Sequence, residues 1–176
     1  REPEANALYA QKMFGPWNEC YMPLGNLNLR FKITGEVADY RRTLELRSGV
    51  ATVSYRQDGV EYTRETFVSY PDQALVMRIR SDKPVKISFS AGLTSLLRNE
   101  VAASGDVLRM TGRCTVHADP HYLGNRVVYD EGPNPKGMRF AVGLRAIPEG
   151  GSLTIGKAGI VARNCDSVTL VLTAAT

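Results

Sequence analysis

Leu44-Glu-Leu-Arg-Ser-Gly-Val-Ala-Thr-Val-Ser-Tyr55, Val60-Glu-Tyr-Thr-Arg-Glu-Thr-Phe-Val-Ser-Tyr70 and Ala74-Leu-Val-Met-Arg-Ile-Arg80 are three consecutive runs rich in Val, Thr, Tyr and Ile. Residues of that kind fit a pleated, half-buried surface. Asp58-Gly59 separates the first two runs and can take the positive φ of a tight hairpin, while Pro71-Asp72 stops the ladder before the third. The stretch predicts a β-meander.

Outward from it, strict alternation continues. Leu27, Leu29, Phe31 and Ile33 alternate with Asn28, Arg30, Lys32 and Thr34, and Val85, Ile87, Phe89, Ala91 and Leu93 alternate with Lys86, Ser88, Ser90 and Gly92. Period two with opposite character on the two faces predicts strands with one side on a core and one in water. Met138, Phe140, Val142, Leu144 and Ala146 repeat the pattern, followed by Leu153–Ile155, Gly159–Ala162 and Val168–Thr173. Gly35–Arg42 reads as a polar turn, Thr94–Gly105 as a loop, and Val107–Val116 as one or two strands interrupted by Gly112. One helix is expected, Glu4–Phe14, with Ala5, Leu8, Ala10 and Met13 near one face and Gly15-Pro16 as its stop. About nine or ten short strands with almost no helix predict an all-β fold, a large antiparallel β-sandwich, with an up-and-down barrel as the alternative.

Composition narrows the function classes. At 176 residues and 43% hydrophobic, the chain can close one core, so a single domain over residues 1–176 is expected. No apolar run approaches the roughly 20 residues of a membrane helix, and no membrane partner is expected. The net charge is +4, but Arg and Lys are interleaved with Glu and Asp, as in Glu61, Arg64 and Glu65, which predicts solvated strand faces and no nucleic-acid partner. Cys20, Cys114 and Cys165 are far apart and odd in number, which predicts a buried thiol or at most one disulfide. No phosphate-cradling glycine loop and no Gly-x-Ser-x-Gly nucleophile elbow occurs, and no cofactor is expected.

Alternation disappears between His117 and Gly137, and a patternless insertion of this length in a compact domain is often functional. His117, Asp119 and His121 place two imidazoles and a carboxylate together, with Tyr122 beside them. Such a group could contact sugar or a neighbouring domain, or be a solvated loop; a metal is not expected, because Pro120 opposes a helical ligand pair. Glu61 and Glu65 read as cross-strand charge pairs, not as hydrolytic carboxylates. Trp17, Tyr21 and Tyr122 could stack on a sugar ring or anchor strand ends.

Several ordered stretches carry a resemblance. Tyr21-Met-Pro-Leu-Gly-Asn-Leu-Asn-Leu-Arg-Phe31, Asp39-Tyr-Arg-Arg-Thr-Leu-Glu-Leu46, Gly49-Val-Ala-Thr-Val-Ser-Tyr55, Tyr62-Thr-Arg-Glu-Thr-Phe-Val-Ser-Tyr-Pro-Asp72, Lys136-Gly-Met-Arg-Phe140 and Val168-Thr-Leu-Val-Leu-Thr-Ala-Ala-Thr176 are similar to the N-terminal domain of glycoside hydrolase family 95, itself like that of family 65. Those enzymes are α-L-fucosidases, with some α-L-galactosidases. The resemblance implies a galactose-mutarotase-like super-sandwich whose partner is an (α/α)6 catalytic barrel of the same polypeptide. It further implies a fucosylated glycan substrate, inverting hydrolysis by a Glu acid with an Asn–Asp pair activating water, and a bacterial periplasmic or extracellular location. The barrel's catalytic motifs have no counterpart here, so no catalytic residue is assigned. The expected substrate-proximal loop contains His117, Asp119, His121 and Tyr122. The family's upstream strands are also unmatched, which implies exposed sheet edge and self-association of the piece. A free-standing glycan-binding module is the alternative reading.

Overall fold

The computed structural model describes residues 2–13, 19–32, 34–120, 122, 124 and 126–176. Helix α1 (Glu2–Lys12) precedes β1 (Asn26–Phe31), β2 (Val37–Glu45), β3 (Val50–Gln57), β4 (Val60–Ser69) and β5 (Ala74–Ser81). Next come β6 (Ile87–Thr94), β7 (Arg98–Ser104), β8 (Val107–Arg113) and the short β9 (His117–Ala118) and β10 (Val127–Val128). The chain finishes with β11 (Arg139–Glu149), β12 (Ser152–Gly156), β13 (Gly159–Cys165) and β14 (Ser167–Ala175).

These strands form an antiparallel sandwich. The larger sheet has eight strands in the order β2-β3-β4-β5-β14-β11-β8-β7, the smaller has four, β1-β6-β13-β12, and β9 and β10 pair alone. The expected meander is β2 to β5, and its hairpin at Asp58-Gly59 has positive φ at both residues, 50° and 70°. That is a type I′ turn, whose twist matches the strands it joins. The run from Leu44 to Tyr55 is not one strand, because a turn at 46–49 divides it, closed by the Gly49 N–H on the Glu45 carbonyl at 2.8 Å.

The expected alternation holds at the centre of each sheet. Ile87, Phe89, Ala91 and Leu93 of β6 are buried, and Leu27, Leu29 and Phe31 of β1 are half-buried against them. Leu108, Leu144, Ile160, Val168 and Leu170 are 0% exposed and join the two layers. On the outer face, Arg56 meets Glu61 at 3.1 Å, Arg80 meets Glu65 at 3.6 Å and Arg78 meets Glu149 at 3.1 Å. Glu61 and Glu65 are therefore cross-strand charge pairs, as expected. All three cysteines are free, with Cys165 buried.

Five local expectations are corrected. Residues 37–42, expected in a turn, lie in β2, which pairs with β3 across a bulge between Ala38 and Arg41. Every residue of β2 is exposed, so burial left no period-two signature to read. The expected loop at Thr94–Gly105 contains β7, an edge strand partnered only by β8. Gly112 does not interrupt β8; it is small because the ring of Phe140 lies where a Cβ would stand. Helix α1 buries no residue, so its apolar positions make no core face, and Val85 is exposed in a turn where its N–H donates to Asp166 at 2.8 Å. Phe14 and Ile33 lie outside the described residues.

The smaller sheet sits over one side of the larger. β12 touches β7, β8 and β11, β13 touches β11, and β6 touches β5, whereas β2 has no such cover. Leu144→Ala at the centre of this arrangement is expected to cost about 2–5 kcal/mol by opening a cavity that β-sheet neighbours cannot close, read as a lower denaturation midpoint with an unchanged slope.

Candidate functional site

The segment between β8 and β11 is tied down at both ends. Arg98 of β7 lies over the Tyr129 ring, 4.1 Å from its centroid, donates its backbone N–H to the Tyr129 hydroxyl at 3.0 Å, and pairs with Glu131 at 2.5 Å. Asp130 accepts the backbone N–H groups of Lys136 and Gly132 at 2.8 and 3.0 Å, which holds its carboxyl below the usual range. The Arg113 guanidinium donates to the carbonyls of Pro135, Lys136 and Gly137. This stretch, patternless in sequence, is ordered by side chain to backbone bonds.

At the other end the structure brings His117 and Asp119 together. His117 Nε2 lies 2.6 Å from Asp119 Oδ1, and its Nδ1 lies 2.8 Å from Glu19 Oε1. Glu19 also accepts the Ala118 N–H through Oε2 at 2.5 Å, and the Cys20 N–H donates to the Ala118 carbonyl at 3.0 Å. Asp119 Oδ2 accepts from the Arg126 N–H at 3.3 Å, closing the β9–β10 ladder. Sequence reasoning missed Glu19. It lies 98 residues before His117 in an irregular connection, and no local spacing couples the two. Tyr122 is 62% exposed, Tyr21 is 88% exposed, and His121 and Trp17 lie outside the described residues.

Electrostatically the three groups hold one another charged. The hydrogen bond to Asp119, then that to Glu19, raises the His117 pKa above its ordinary value. The His117 bond is the first cause lowering Asp119, and the Ala118 N–H followed by His117 lowers Glu19. An imidazolium donating from both nitrogens has no lone pair for a metal or for a substrate proton. Carboxyls pulled below their usual range keep no proton to give a leaving group. Among the described residues no group of three or more His, Cys, Asp or Glu side chains is placed to hold a metal ion.

The consequence for stability follows from the signs. Raising His117 stabilises the fold fully below its unfolded pKa, about 6.5, and this is lost as pH rises through the higher folded value. Lowering Glu19 and Asp119 stabilises above their unfolded values, about 4, and this is lost as pH falls. The stability difference between the native chain and His117→Asn is therefore expected to be largest at about pH 5–6 and to shrink on either side, measured by urea unfolding across pH. A His117 titration midpoint by NMR at or below about 6.5 would contradict the clamp.

Comparison with known proteins places this geometry in a family. The model of "Glycosyl hydrolase family 65, N-terminal domain" matches residues 1–176. "Alpha-L-fucosidase 2" of Arabidopsis thaliana is 32% identical over 177 residues, covering 94% of this chain and 21% of its own length. "Probable alpha-fucosidase A" of Aspergillus oryzae is 28% identical over 154 residues, covering 87% of this chain and 20% of its own. The chain thus spans about a fifth of the length of these curated relatives. A solved structure from the human microbiome, named for a kojibiose phosphorylase, aligns over 80% of this chain and 20% of its own at 12% identity and TM-score 0.39, a likeness too slight to carry detail. With the family's model matched from first residue to last and two fucosidase relatives aligned along most of its strands, the chain belongs to the glycosyl hydrolase family 65 N-terminal domain family.

Proposed function

We propose that the chain is the N-terminal sandwich domain of an α-L-fucosidase of the family 95 type, folding as one domain over residues 1–176 and carrying no hydrolytic group. In this reading it packs against a catalytic barrel elsewhere in the same polypeptide, which cleaves α-L-fucosyl linkages with inversion. The observation that carries it is the 32% identity over 94% of the chain to a protein named "Alpha-L-fucosidase 2".

The side-chain chemistry supports a positioning role. An inverting glycosidase needs one carboxyl kept protonated as acid, and about 6.5–9.5 Å from it a group that activates water. Glu19 is drawn below the usual range by the Ala118 N–H and then by His117, and Asp119 by His117, so neither suits the acid. A loop fixed at both ends and exposing Tyr122 at its tip is suited to contacting a neighbouring domain or the glycan it holds. Among the described residues no helix is long and apolar enough to cross a membrane, and a location outside the cytoplasm belongs to the same proposal as the fucosidase assignment.

Two measurements test this reading. The purified 176-residue chain is expected to release no fucose from a fucosylated oligosaccharide and to show no saturable binding to it in calorimetric titration. Fucose release refutes the proposal, and saturable binding without release favours a self-sufficient glycan-binding module. In the full-length protein, joint replacement of His117 and His121 by Ala is expected to change turnover or KM if the loop borders the cleft; unchanged values of both remove the loop from that role.

A further inference from the structure

On the larger sheet, cations of the outer face are paired with carboxylates, Arg56 with Glu61, Arg80 with Glu65 and Arg145 with Asp106. The smaller sheet differs. Its strands, Asn26–Phe31, Ile87–Thr94, Ser152–Gly156 and Gly159–Cys165, carry Arg30 and Arg163 and no Asp or Glu. Lys157 sits at the tip of the β12–β13 hairpin, and among the described residues none of these three cations has an ion-pair partner. The same face also contains a notch. β6 pairs with β1 as far as Thr94 opposite Asn26, but with β13 only as far as Ala91 opposite Ile160, because the hairpin turns back between Gly156 and Gly159. Past Ala91 one edge of β6 has no strand beside it, and the gap is a cavity of about 330 Å³. Leu93 and Leu108, both buried, and Val101 form its apolar base, and Asn28, Arg30, Ser90, Thr94 and Lys157 its polar rim. Antiparallel pairing sets Arg30 beside Ser90 and Asn28 beside Gly92, and the Asn28 amide donates to the Thr94 hydroxyl at 2.9 Å. Gly92 keeps the middle of the notch open: a Cβ there would have only the Ala158 carbonyl oxygen within 4 Å, at 3.9 Å.

We propose that this notch binds a sugar unit bearing an anionic group, a sulfate ester or a carboxylate, with Arg30 and Lys157 on the anion and Asn28, Ser90 and Thr94 on ring hydroxyls. The inference goes beyond the fucosidase reading and does not rest on it, since every group it uses lies in these strands and their hairpin. Two cations that no carboxylate neutralises favour an anion, and the planar fork of a guanidinium matches the paired oxygens of sulfate or carboxylate. Amide and hydroxyl groups held in register by the β1–β6 ladder match a polyhydroxylated ring. A volume of about 330 Å³ is at the small end for ligand sites, with room for a mono- or disaccharide. Nucleic acid fits less well, because the residues lining the notch include no aromatic ring on which a base could stack. The apolar base receives the C–H face of the ring, as the rim takes its hydroxyls and its charge.

Calorimetric titration of the 176-residue chain tests this with a sulfated galactose tetrasaccharide, its desulfated counterpart, tetragalacturonate, a neutral fucosylated oligosaccharide and a short single-stranded DNA. A charged sugar is expected to bind saturably with Kd about 0.1–1 mM, more weakly as salt is added, and neither neutral sugar is expected to bind. Binding of the sulfated sugar alone assigns a sulfate ester, of tetragalacturonate alone a carboxylate, and of both their shared charge. Arg30→Gln and Lys157→Gln are each expected to weaken binding about 10-fold, and Arg56→Gln on the larger sheet to leave it within about 2-fold. Gly92→Ile keeps both cations and suits a strand, but fills the notch, and is expected to weaken binding at least about 10-fold with an unaltered circular dichroism spectrum. No binding of either charged sugar overturns the proposal. So do equal binding of the desulfated sugar, tighter binding of the DNA, or a folded Gly92→Ile chain that binds as before, which would leave only a diffuse attraction between charges.

Discussion

The whole molecule depends on covering the inner face of one eight-stranded sheet. A sheet with one apolar face is stable only when a second layer removes that face from water, at about 25 cal/mol for each Å² buried. Here the second layer is four strands wide, and it is set over the stretch of the larger sheet that runs from β5 through β14, β11 and β8 to β7. That is where Leu108, Leu144, Val168 and Leu170 reach 0% exposure, opposite Ile160 and Phe89 of the smaller sheet. Burial then decays along the large sheet toward β2, whose nine residues are all exposed. The gradient follows from layer width, because β2 and β3 are hydrogen-bonded into the same ladder as the centre and carry comparable Val, Tyr and Leu.

Charge acts differently on the two faces. The outer pairs, Arg78 with Glu149 and Arg56 with Glu61, involve side chains at least 40% exposed, and each such pair is worth about 0–1 kcal/mol. Their effect lies in register: shifting any of these strands by one residue would send its charged side chains inward and its apolar ones to water. The loop anchors are bonded in another way. Arg113 reaches three backbone carbonyls, and Asp130 two backbone N–H groups, so they satisfy main-chain groups that no ladder supplies. The irregular stretch from Tyr129 to Met138 is thereby fixed without a core of its own.

How far the sequence could be read follows from the same physics. β6 was legible because one of its faces is buried at every second residue, and the Asp58-Gly59 turn because only certain residues tolerate its backbone. β2 and β7 were not, since β2 is exposed on both faces and β7 half-buries only the adjacent Val101 and Ala102, which leaves no alternation, and pairing itself writes nothing in the side chains. The loop was recognisable as an anomaly, and His117 with Asp119 as a pair. Glu19 was beyond reach. A contact between an irregular connection and a strand 98 residues later is made by the tertiary fold, and spacing rules describe only what one helix or strand brings together.

The Glu19–His117–Asp119 cluster separates catalytic from structural titratable groups. In acid–base machinery, neighbouring environments push two pKa values apart so that one group holds a proton while the other has lost it. In this cluster the hydrogen bonds act together: those to Asp119 and Glu19 raise the imidazole, the bond to His117 lowers Asp119, and the Ala118 N–H followed by His117 lowers Glu19. Such a set changes charge only at the extremes of its range, and between them it behaves as a fixed brace. The brace joins the connection before β1 to the start of β9, so it settles where the loop begins relative to the smaller sheet. A group of this kind gains value from remaining charged and still, which is the opposite of what proton transfer to a glycosidic oxygen requires.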